Sequence, residues 1–159
     1  MEAWSQVSGA ALYAACFGLS VVSALVPWVN GEALLLSFAL CARTRFALAG
    51  LVVLASLGQM VGKCILYWGG RSSLRLENGR VAELTASWKK RLAASPSQAS
   101  AVVFVSSALG IPPFYVITLL AGALHIRFGR FVGIGLCGRV VRFGLLVLIP
   151  RLALDLWLP

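Results

Sequence analysis

Two apolar stretches of the chain are interrupted at prolines, the first at Pro27 and the second at Pro112 and Pro113. Proline has no amide hydrogen and disfavours the helical conformation at the residue before it, so each stretch should break at these positions. A broken hydrophobic segment in each half of a membrane protein points to a binding site near the middle of the bilayer. We therefore expect the chain to hold or move a ligand within a membrane.

The composition supports an integral membrane protein. Of the 159 residues, 60% are hydrophobic, whereas about 45–50% is usual in soluble domains. Four apolar stretches approach or exceed the roughly 20 residues that a helix needs to cross a bilayer. They cover residues 3–26, 46–68, 101–124 and 131–149. We predict a single all-α membrane domain over residues 1–159.

The segments that contain the prolines are predicted as re-entrant hairpins, which enter the bilayer and return to the same face. Segment 27–40 has only 14 residues, too few to cross. Segment 101–124 is long enough, but its two adjacent prolines favour a hairpin over a kinked span. The predicted order is an N-terminal helix (3–26), hairpin 1 (27–40), a transmembrane helix (46–68), a polar loop (69–98), hairpin 2 (101–124), a second transmembrane helix (131–149) and an interfacial tail (152–158).

The two halves of the chain align at a shift of 85 residues. The shift places Pro27 on Pro112, Arg45-Phe46 on Arg130-Phe131, and Gly50 on Gly135. Each half then reads as a hairpin, a basic interface and a transmembrane helix, with the N-terminal helix as an extra element. We predict an inverted repeat whose hairpins enter the membrane from opposite faces.

The basic residues predict the orientation in the membrane. The net charge is +9, and the polar loop 69–98 is basic. Such a loop normally stays in the cytoplasm. With this loop and the N-terminus inside, eight basic residues are cytoplasmic (Arg71, Arg75, Arg80, Lys89, Lys90, Arg91, Arg127 and Arg130) and three are outside (Arg43, Arg45 and Arg151). The charge favours anionic lipid headgroups over nucleic acid as the partner.

The polar loop has two interpretations. Val81, Leu84, Trp88 and Leu92 recur at helical spacing, which favours a short amphipathic helix on the membrane surface. Ser95-Pro96 would end this helix. A disordered basic linker is the alternative.

Glu32 is the leading candidate for chemistry, because no other acidic residue lies between the first helix and the polar loop. A charge at the centre of a membrane helix costs about 2.5–3.5 kcal/mol. The carboxyl must therefore face a cavity, pair with a cation or be protonated, and we expect it to accept a proton. The alternative is that Glu32 only caps the second arm of hairpin 1, with Asn30 or Gly31 at the N-cap.

Three basic residues lie within the predicted transmembrane helices. Arg139 and Arg142 are three residues apart and so share one face of their helix, while Lys63 lies in the other helix. They are candidates for pairing with Glu32 or for binding a lipid phosphate, which suits forked guanidinium donors. Snorkelling to an interface is the alternative, above all for Lys63, which is near a helix end.

Other patterns indicate little chemistry. His125, the only histidine, is more typical of a structural hydrogen-bonding residue than of a proton relay. The four cysteines are dispersed singly, as packing residues are, and no metal or cofactor site is predicted. We find no nucleophile–base pattern and no phosphate-binding glycine loop, so we do not expect an enzyme.

Gly58 and Gly62 form a GxxxG pair within the first transmembrane helix. Such a pair lets another helix approach closely, and it also allows a homo-oligomer. The alternative is chance, because glycine is common in membrane helices.

Taken in order, several segments resemble the DedA family, also called VTT-domain or SNARE-associated Golgi proteins. The resemblance covers roughly residues 20–145. It is carried by residues 27–32 (PWVNGE), 58–63 (GQMVGK), 67–71 (YWGGR), 111–114 (IPPF), 121–122 (AG) and 128–143, which include Gly138-Arg139.

The resemblance implies paired re-entrant hairpins and a lipid translocase or scramblase for phospholipid or polyprenyl phosphate in a bacterial inner membrane. Glu32 matches the acidic position of the family's first hairpin. Many members carry arginines around the proline of hairpin 2, whereas this chain has none between Arg91 and Arg127. Arg139 and Arg142 are candidates to replace them. A small-solute or ion transporter and a non-transporting membrane scaffold are the alternatives.

Overall fold

The structure, a computed structural model, describes residues 9–26, 28–42, 44–72, 90 and 95–157, with the backbone alone for 150–157. Within these ranges the regular elements are all helices. They are α1 (Gly9–Leu25), α2 (Gly31–Cys41), α3 (Arg45–Ser72), α4 (Pro96–Leu109), α5 (Phe114–Ala123) and α6 (Phe128–Trp157). We call residues 26–30 the first break and residues 110–113 the second break.

Local sequence explains where α2 and α4 begin and where α4 ends. Asn30 caps α2, because its side chain accepts hydrogen bonds from the amides of Glu32 and Ala33. Ser95 caps α4 in the same way, with proline at the first helical position. Ser95-Pro96 therefore begins α4, while the amphipathic helix predicted to end there lies outside the described residues. Gly110 ends α4 at φ 79°, a left-handed conformation that glycine adopts without strain.

The first three helices form a unit in which α1 runs parallel to α3. A Cβ atom added at Gly50 would meet Tyr13, one at Gly58 would meet Phe17, and one at Gly62 would meet Ala24. Residue numbers therefore rise in the same direction along both helices. Gly9 therefore lies at the same end of the molecule as Arg45. The orientation predicted from the basic residues has the N-terminus opposite Arg45, because it requires residues 3–26 to cross the membrane and residues 27–40 alone to form the hairpin.

The second three helices repeat this order. A shift of 85 residues brings the first residues of α1, α2 and α3 to within two residues of those of α4, α5 and α6. The N-terminal helix is thus the counterpart of α4 and not an extra element, which corrects the sequence prediction. α4 packs on α6 as α1 packs on α3, while α5 packs on α3 and α2 packs on α6. Each half therefore contacts the long helix of the other half.

The two long helices cross in opposite directions. Tyr67 stacks on Phe131 with ring centroids 5.1 Å apart, and a Cβ on Gly135 would meet Met60. Further along, Leu51 joins Phe143 and Val147 in a second apolar cluster. Residue numbers fall along α3 as they rise along α6, so the helices are antiparallel.

Two helical segments are long and apolar enough to cross a membrane, Arg45–Ser72 and Phe128–Ile149, with mean hydropathy of 1.7 and 2.0. They extend beyond the predicted spans 46–68 and 131–149. The last helix continues through Pro150 to Trp157, where an interfacial tail was predicted. Ala10–Leu25, Gly31–Cys41 and Phe114–Ala123 are apolar but shorter.

Several predictions fall on residues that the structure does not describe. Pro27, Arg43 and the amphipathic pattern of Val81, Leu84, Trp88 and Leu92 lie outside the described residues. α3 continues to Ser72 and α4 begins at Pro96, so these two helices occupy both ends of the segment 69–98 that was predicted as a polar loop.

Candidate functional site

A cavity of about 600 Å³ lies where the two breaks meet the middle of the long helices. Its wall includes the end of α1, the start of α2, both breaks, one side of α3 and one side of α6. Four charged residues line it: Glu32, Lys63, Arg139 and Arg142. The structure thus brings together the four charged residues that the sequence analysis singled out, although they are up to 110 residues apart in sequence.

Glu32 combines the two placements considered from the sequence, which are the first turn of a capped helix and an ion pair with a cation. It lies in the first turn of α2, and its amide donates to the Asn30 side chain at 3.0 Å. Its Oε1 atom also accepts a hydrogen bond from Arg142 Nε at 2.7 Å and another from Arg142 Nη2. The Glu32 and Arg142 side chains are 33% and 23% exposed, so the ion pair borders the cavity.

Arg142 also contacts the other half of the molecule. Its Nη1 atom donates to the carbonyl oxygen of Ala108 at 3.3 Å. Ala108 is in the last turn of α4, where carbonyl groups lack partners within the helix and favour a cation. Arg142 therefore joins the start of α2 to the end of α4.

Lys63 does not snorkel to an interface. It is only 6% exposed, and its Nζ atom donates to the carbonyl oxygen of Ala24 at 2.9 Å. The same atom lies 5.2 Å from the centroid of the Tyr115 ring, a cation–π contact. The described hydrogen bond of Lys63 thus goes to the end of α1 and not to Glu32.

Arg139 is the least satisfied of the cations. Its guanidinium carbon lies 4.9 Å from the ring centroid of Phe114 and 6.0 Å from that of Phe143. Its Nε atom is buried without a hydrogen-bond partner among the described residues. A buried donor without an acceptor is costly, so this atom is suited to bind an acceptor from a ligand.

The charges in the cavity do not balance. Three cations and one carboxylate give a formal charge of +2, since 3 − 1 = 2. An excess of positive charge in a cavity with low-dielectric walls attracts anions. The arrangement therefore suits a ligand with at least one negative group, such as a phosphate.

Gln59 and Ser23 form a polar wall that the sequence analysis did not identify as part of the site. Gln59 Nε2 donates to Ser23 Oγ at 3.1 Å, and both residues line the cavity. Ser23 Oγ in turn donates to the carbonyl oxygen of Ser20 at 2.9 Å. A glutamine in the middle of an apolar span was the available signal, because a buried amide needs polar partners.

The remaining predicted positions, Gly31, Pro112 and Pro113, lie at or beside the cavity wall. Gly31 packs against Gln59 and Ser23 at the cavity wall. Pro113 lines the cavity, while Pro112 accepts a hydrogen bond on its carbonyl oxygen from Ser106 Oγ at 2.6 Å. Both prolines therefore shape the second break, where they contribute no charge.

His125 and the cysteines lie outside the cavity wall. His125 has φ 53° just after α5, and its amide donates to the carbonyl oxygen of Gly122 at 3.0 Å. This placement fits the structural interpretation. Cys16 is buried, Cys64 is half-buried, and Cys41 and Cys137 are exposed; all four are free thiols. Among the described residues, no three histidine, cysteine or acidic side chains are grouped as a metal site requires.

A family model, the VTT domain, matches residues 26–152. The chain belongs to the VTT domain family. This is the domain of the DedA and SNARE-associated Golgi proteins, so the resemblance noted in the sequence is confirmed. No curated protein and no solved structure matches the chain significantly. Together with the two apolar helices, membership of the VTT family indicates a membrane protein.

Proposed function

We propose that this VTT-domain protein moves lipids that carry a phosphate group across the bilayer, as a translocase or scramblase. The supporting observation is the cavity with three cations and one carboxylate, located midway along two helices that are able to cross a membrane. A phosphate offers several oxygen acceptors to guanidinium donors. Phospholipids and polyprenyl phosphates share this group, and the chain transports them without acting as an enzyme.

The proposal includes a membrane arrangement of two re-entrant hairpins, α1–α2 and α4–α5. The antiparallel long helices and the repeated helix order support it, because both breaks then reach the same central cavity from opposite faces. Irregular backbone is tolerated at membrane depth where it lines such a cavity. The basic 73–95 connection lies in the cytoplasm of a bacterial host, and the chain resides in the inner membrane.

The four charged residues have separate roles in this proposal. Arg139 binds the phosphate, because its Nε atom lacks a partner among the described residues. Glu32 accepts or releases a proton as the headgroup passes. Arg142 and Lys63 place the ends of the broken helices around the cavity and add to its positive charge.

The decisive experiment is reconstitution of the purified protein in vesicles that contain a headgroup-labelled phospholipid or a labelled polyprenyl phosphate. We expect Arg139→Gln to slow the transfer between leaflets by about 10–100-fold, the value of one charged hydrogen bond. Arg130→Gln is the matched control, because Arg130 is an exposed arginine of the same helix. Unchanged transfer in an Arg139→Gln, Glu32→Gln double variant would refute the assigned roles. No transfer of either lipid by the intact protein would refute the function.

A small-solute or ion transporter is the second candidate, and the cavity volume is the observation that favours it. About 600 Å³ falls within the roughly 300–1,000 Å³ typical of small-molecule sites. Proton-linked uptake of a solute that does not depend on the lipid composition of the vesicles would support this candidate over lipid transfer.

A scaffold that assembles through its glycines receives less support. A Cβ on Gly58 would lie 2.5 Å from the carbonyl oxygen of Phe17, and one on Gly62 would lie 2.6 Å from the Cβ of Ala24. Both glycines of the GxxxG pair therefore face α1 of the same chain and not a free surface.

A further inference from the structure

Each long helix carries one cation that contacts both halves of the molecule. The positions contacted by the two cations correspond between the halves. From α3, Lys63 donates to the carbonyl oxygen of Ala24, the penultimate residue of α1. The same ammonium lies over Tyr115 in the first turn of α5. Lys63 therefore connects the first helix of its own half to the short helix of the other half.

Arg142 repeats this pattern from α6. It donates to the carbonyl oxygen of Ala108, the penultimate residue of α4. It also binds Glu32 in the first turn of α2. Each cation thus joins the helix before one break to the helix after the other break, and the two bridges are arranged alike.

The two bridges differ in how they respond to an anion. Lys63 is 6% exposed and contacts a neutral ring, so an entering anion has no carboxylate to displace there. Arg142 is 23% exposed and contacts a carboxylate that borders the cavity. A phosphate competes directly with a carboxylate for the same guanidinium donors. Arg139, three residues earlier and so on the same face of α6, is placed to hold that phosphate beside the pair.

We propose that the Glu32–Arg142 ion pair is a latch between the two halves, and that a phosphate group entering the cavity opens it by taking the place of Glu32 on Arg142. When the latch opens, the start of α2 is no longer joined to the end of α4, and the two breaks separate. The bridge made by Lys63 stays closed and acts as the fixed side. The identity of the entering anion rests on the proposed function, whereas the latch itself rests on the contacts of Arg142.

Spin labels on the two breaks test this latch. Trp28 and Ile111 are 91% and 76% exposed, so Trp28→Cys and Ile111→Cys provide accessible thiols for a label. Cys41, Cys64 and Cys137 are replaced by serine or alanine, and the buried Cys16 is retained. The label-to-label distance is measured by electron paramagnetic resonance in maltoside micelles, which contain no phosphate. Dihexanoyl phosphatidic acid, dihexanoyl glycerol and inorganic phosphate are added separately.

We expect phosphatidic acid to lengthen the distance by about 5 Å, the scale of a one-turn shift between packed elements, and the phosphate-free glycerolipid to leave it unchanged. Opening by inorganic phosphate as well would identify free phosphate as a sufficient ligand, and opening by phosphatidic acid alone would identify the lipid headgroup. In Arg142→Met the longer distance should be present without lipid, while Arg130→Met, which removes an exposed arginine of the same helix, should keep the response of the intact protein.

Glu32→Gln provides a milder test if Arg142→Met does not fold. Its amide keeps the shape of the carboxyl but lacks the charge, so the phosphatidic acid concentration for half-opening should fall about tenfold. An unchanged distance on addition of phosphatidic acid to the intact chain would overturn the latch. Lipid transfer in vesicles is measured separately: transfer with a fixed distance refutes the latch alone, and opening without transfer refutes lipid transport alone.

Discussion

Replacing Gly58 by alanine should loosen the contact between α1 and α3. The added methyl group would lie 2.5 Å from the carbonyl oxygen of Phe17 and 3.0 Å from the Cβ of Ser20. Ordinary carbon–oxygen contacts are about 3.3–3.6 Å. The obstructing oxygen belongs to the backbone, so α1 must retreat by about 1 Å or α3 must shift. Overpacking of this kind typically costs about 1–3 kcal/mol.

The expected result is a lower midpoint of thermal unfolding. Because the obstructing atom is a backbone oxygen that cannot rotate away, the upper part of this overpacking range applies, about 2–3 kcal/mol. Alanine favours a helix over glycine by about 1 kcal/mol, so the net loss of stability is about 1–2 kcal/mol. At about 2–4 °C for each kcal/mol in a chain of this size, the midpoint should fall by about 2–8 °C. Circular dichroism in maltoside micelles measures this midpoint.

Gly69→Ala is the matched control for this prediction. Gly69 belongs to the same helix, and a Cβ there would meet nothing within 4 Å. We expect its midpoint to be unchanged or slightly raised. Equal midpoints for the two variants would refute the packing argument. A loss in Gly58→Ala that disappears at high protein concentration would show that the glycine instead faces a second copy of the chain.

Two further substitutions test the second break and the C-terminal end of α3. Gly110→Ala forces an alanine into a left-handed conformation, at about 1–2 kcal/mol, and crowds Arg142 Nη1 at 2.8 Å; its unfolding midpoint should fall, while that of Gly144→Ala, which meets nothing within 4 Å, should not. Tyr67→Phe removes the hydroxyl that donates to the carbonyl oxygen of Ile126 but keeps the ring stacking, so a loss of about 1–3 kcal/mol is expected in the same assay.

The sequence predicted the breaks because proline acts through local chemistry. Ends of helices follow from residues next to one another, as with the cap at Asn30 and the left-handed turn at Gly110. The 85-residue shift also depends only on order along the chain. Local patterns do not show whether α1 crosses a membrane or stops at a central cavity, because a largely apolar helix of 17 residues fits both arrangements.

The charged residues of the site could be selected from the sequence, but their partners could not. A charge within an apolar segment is conspicuous by composition, and this criterion selected Glu32, Lys63, Arg139 and Arg142. Which cation binds Glu32 depends on the packing of α2 against α6, a contact between residues 110 positions apart. The same limit explains why Gln59 was missed, since its role depends on Ser23 from α1.

The membrane arrangement leads to a prediction about sidedness. Ala10 at the start of α1 and Cys41 at the end of α2 are both exposed, and α1 runs parallel to α3, whose first residue is Arg45. If α1–α2 is a re-entrant hairpin, Ala10 and Cys41 face the same side of the membrane. If residues 3–26 instead cross the membrane toward the face where Arg45 lies and residues 27–40 alone form the hairpin, as predicted from the sequence, they face opposite sides. The two arrangements therefore differ in one observable property.

A membrane-impermeant maleimide applied to intact bacterial cells that express the chain measures this property. Cys41 is the native probe in a Cys64→Ser, Cys137→Ser background, and the other positions are tested one at a time in that background as Ala10→Cys and His125→Cys with Cys41→Ser. We expect positions 10 and 41 to react from outside, and position 125, at the other end of the long helices, to react only after permeabilisation. Because the basic residues fix the loop side as cytoplasmic, labelling of Ala10→Cys only after permeabilisation would show that α1 crosses the bilayer toward the Arg45 side and is not parallel to α3. The first break could not then lie at the same depth as the second, and the shared central cavity would lose its explanation as a site reached from both faces.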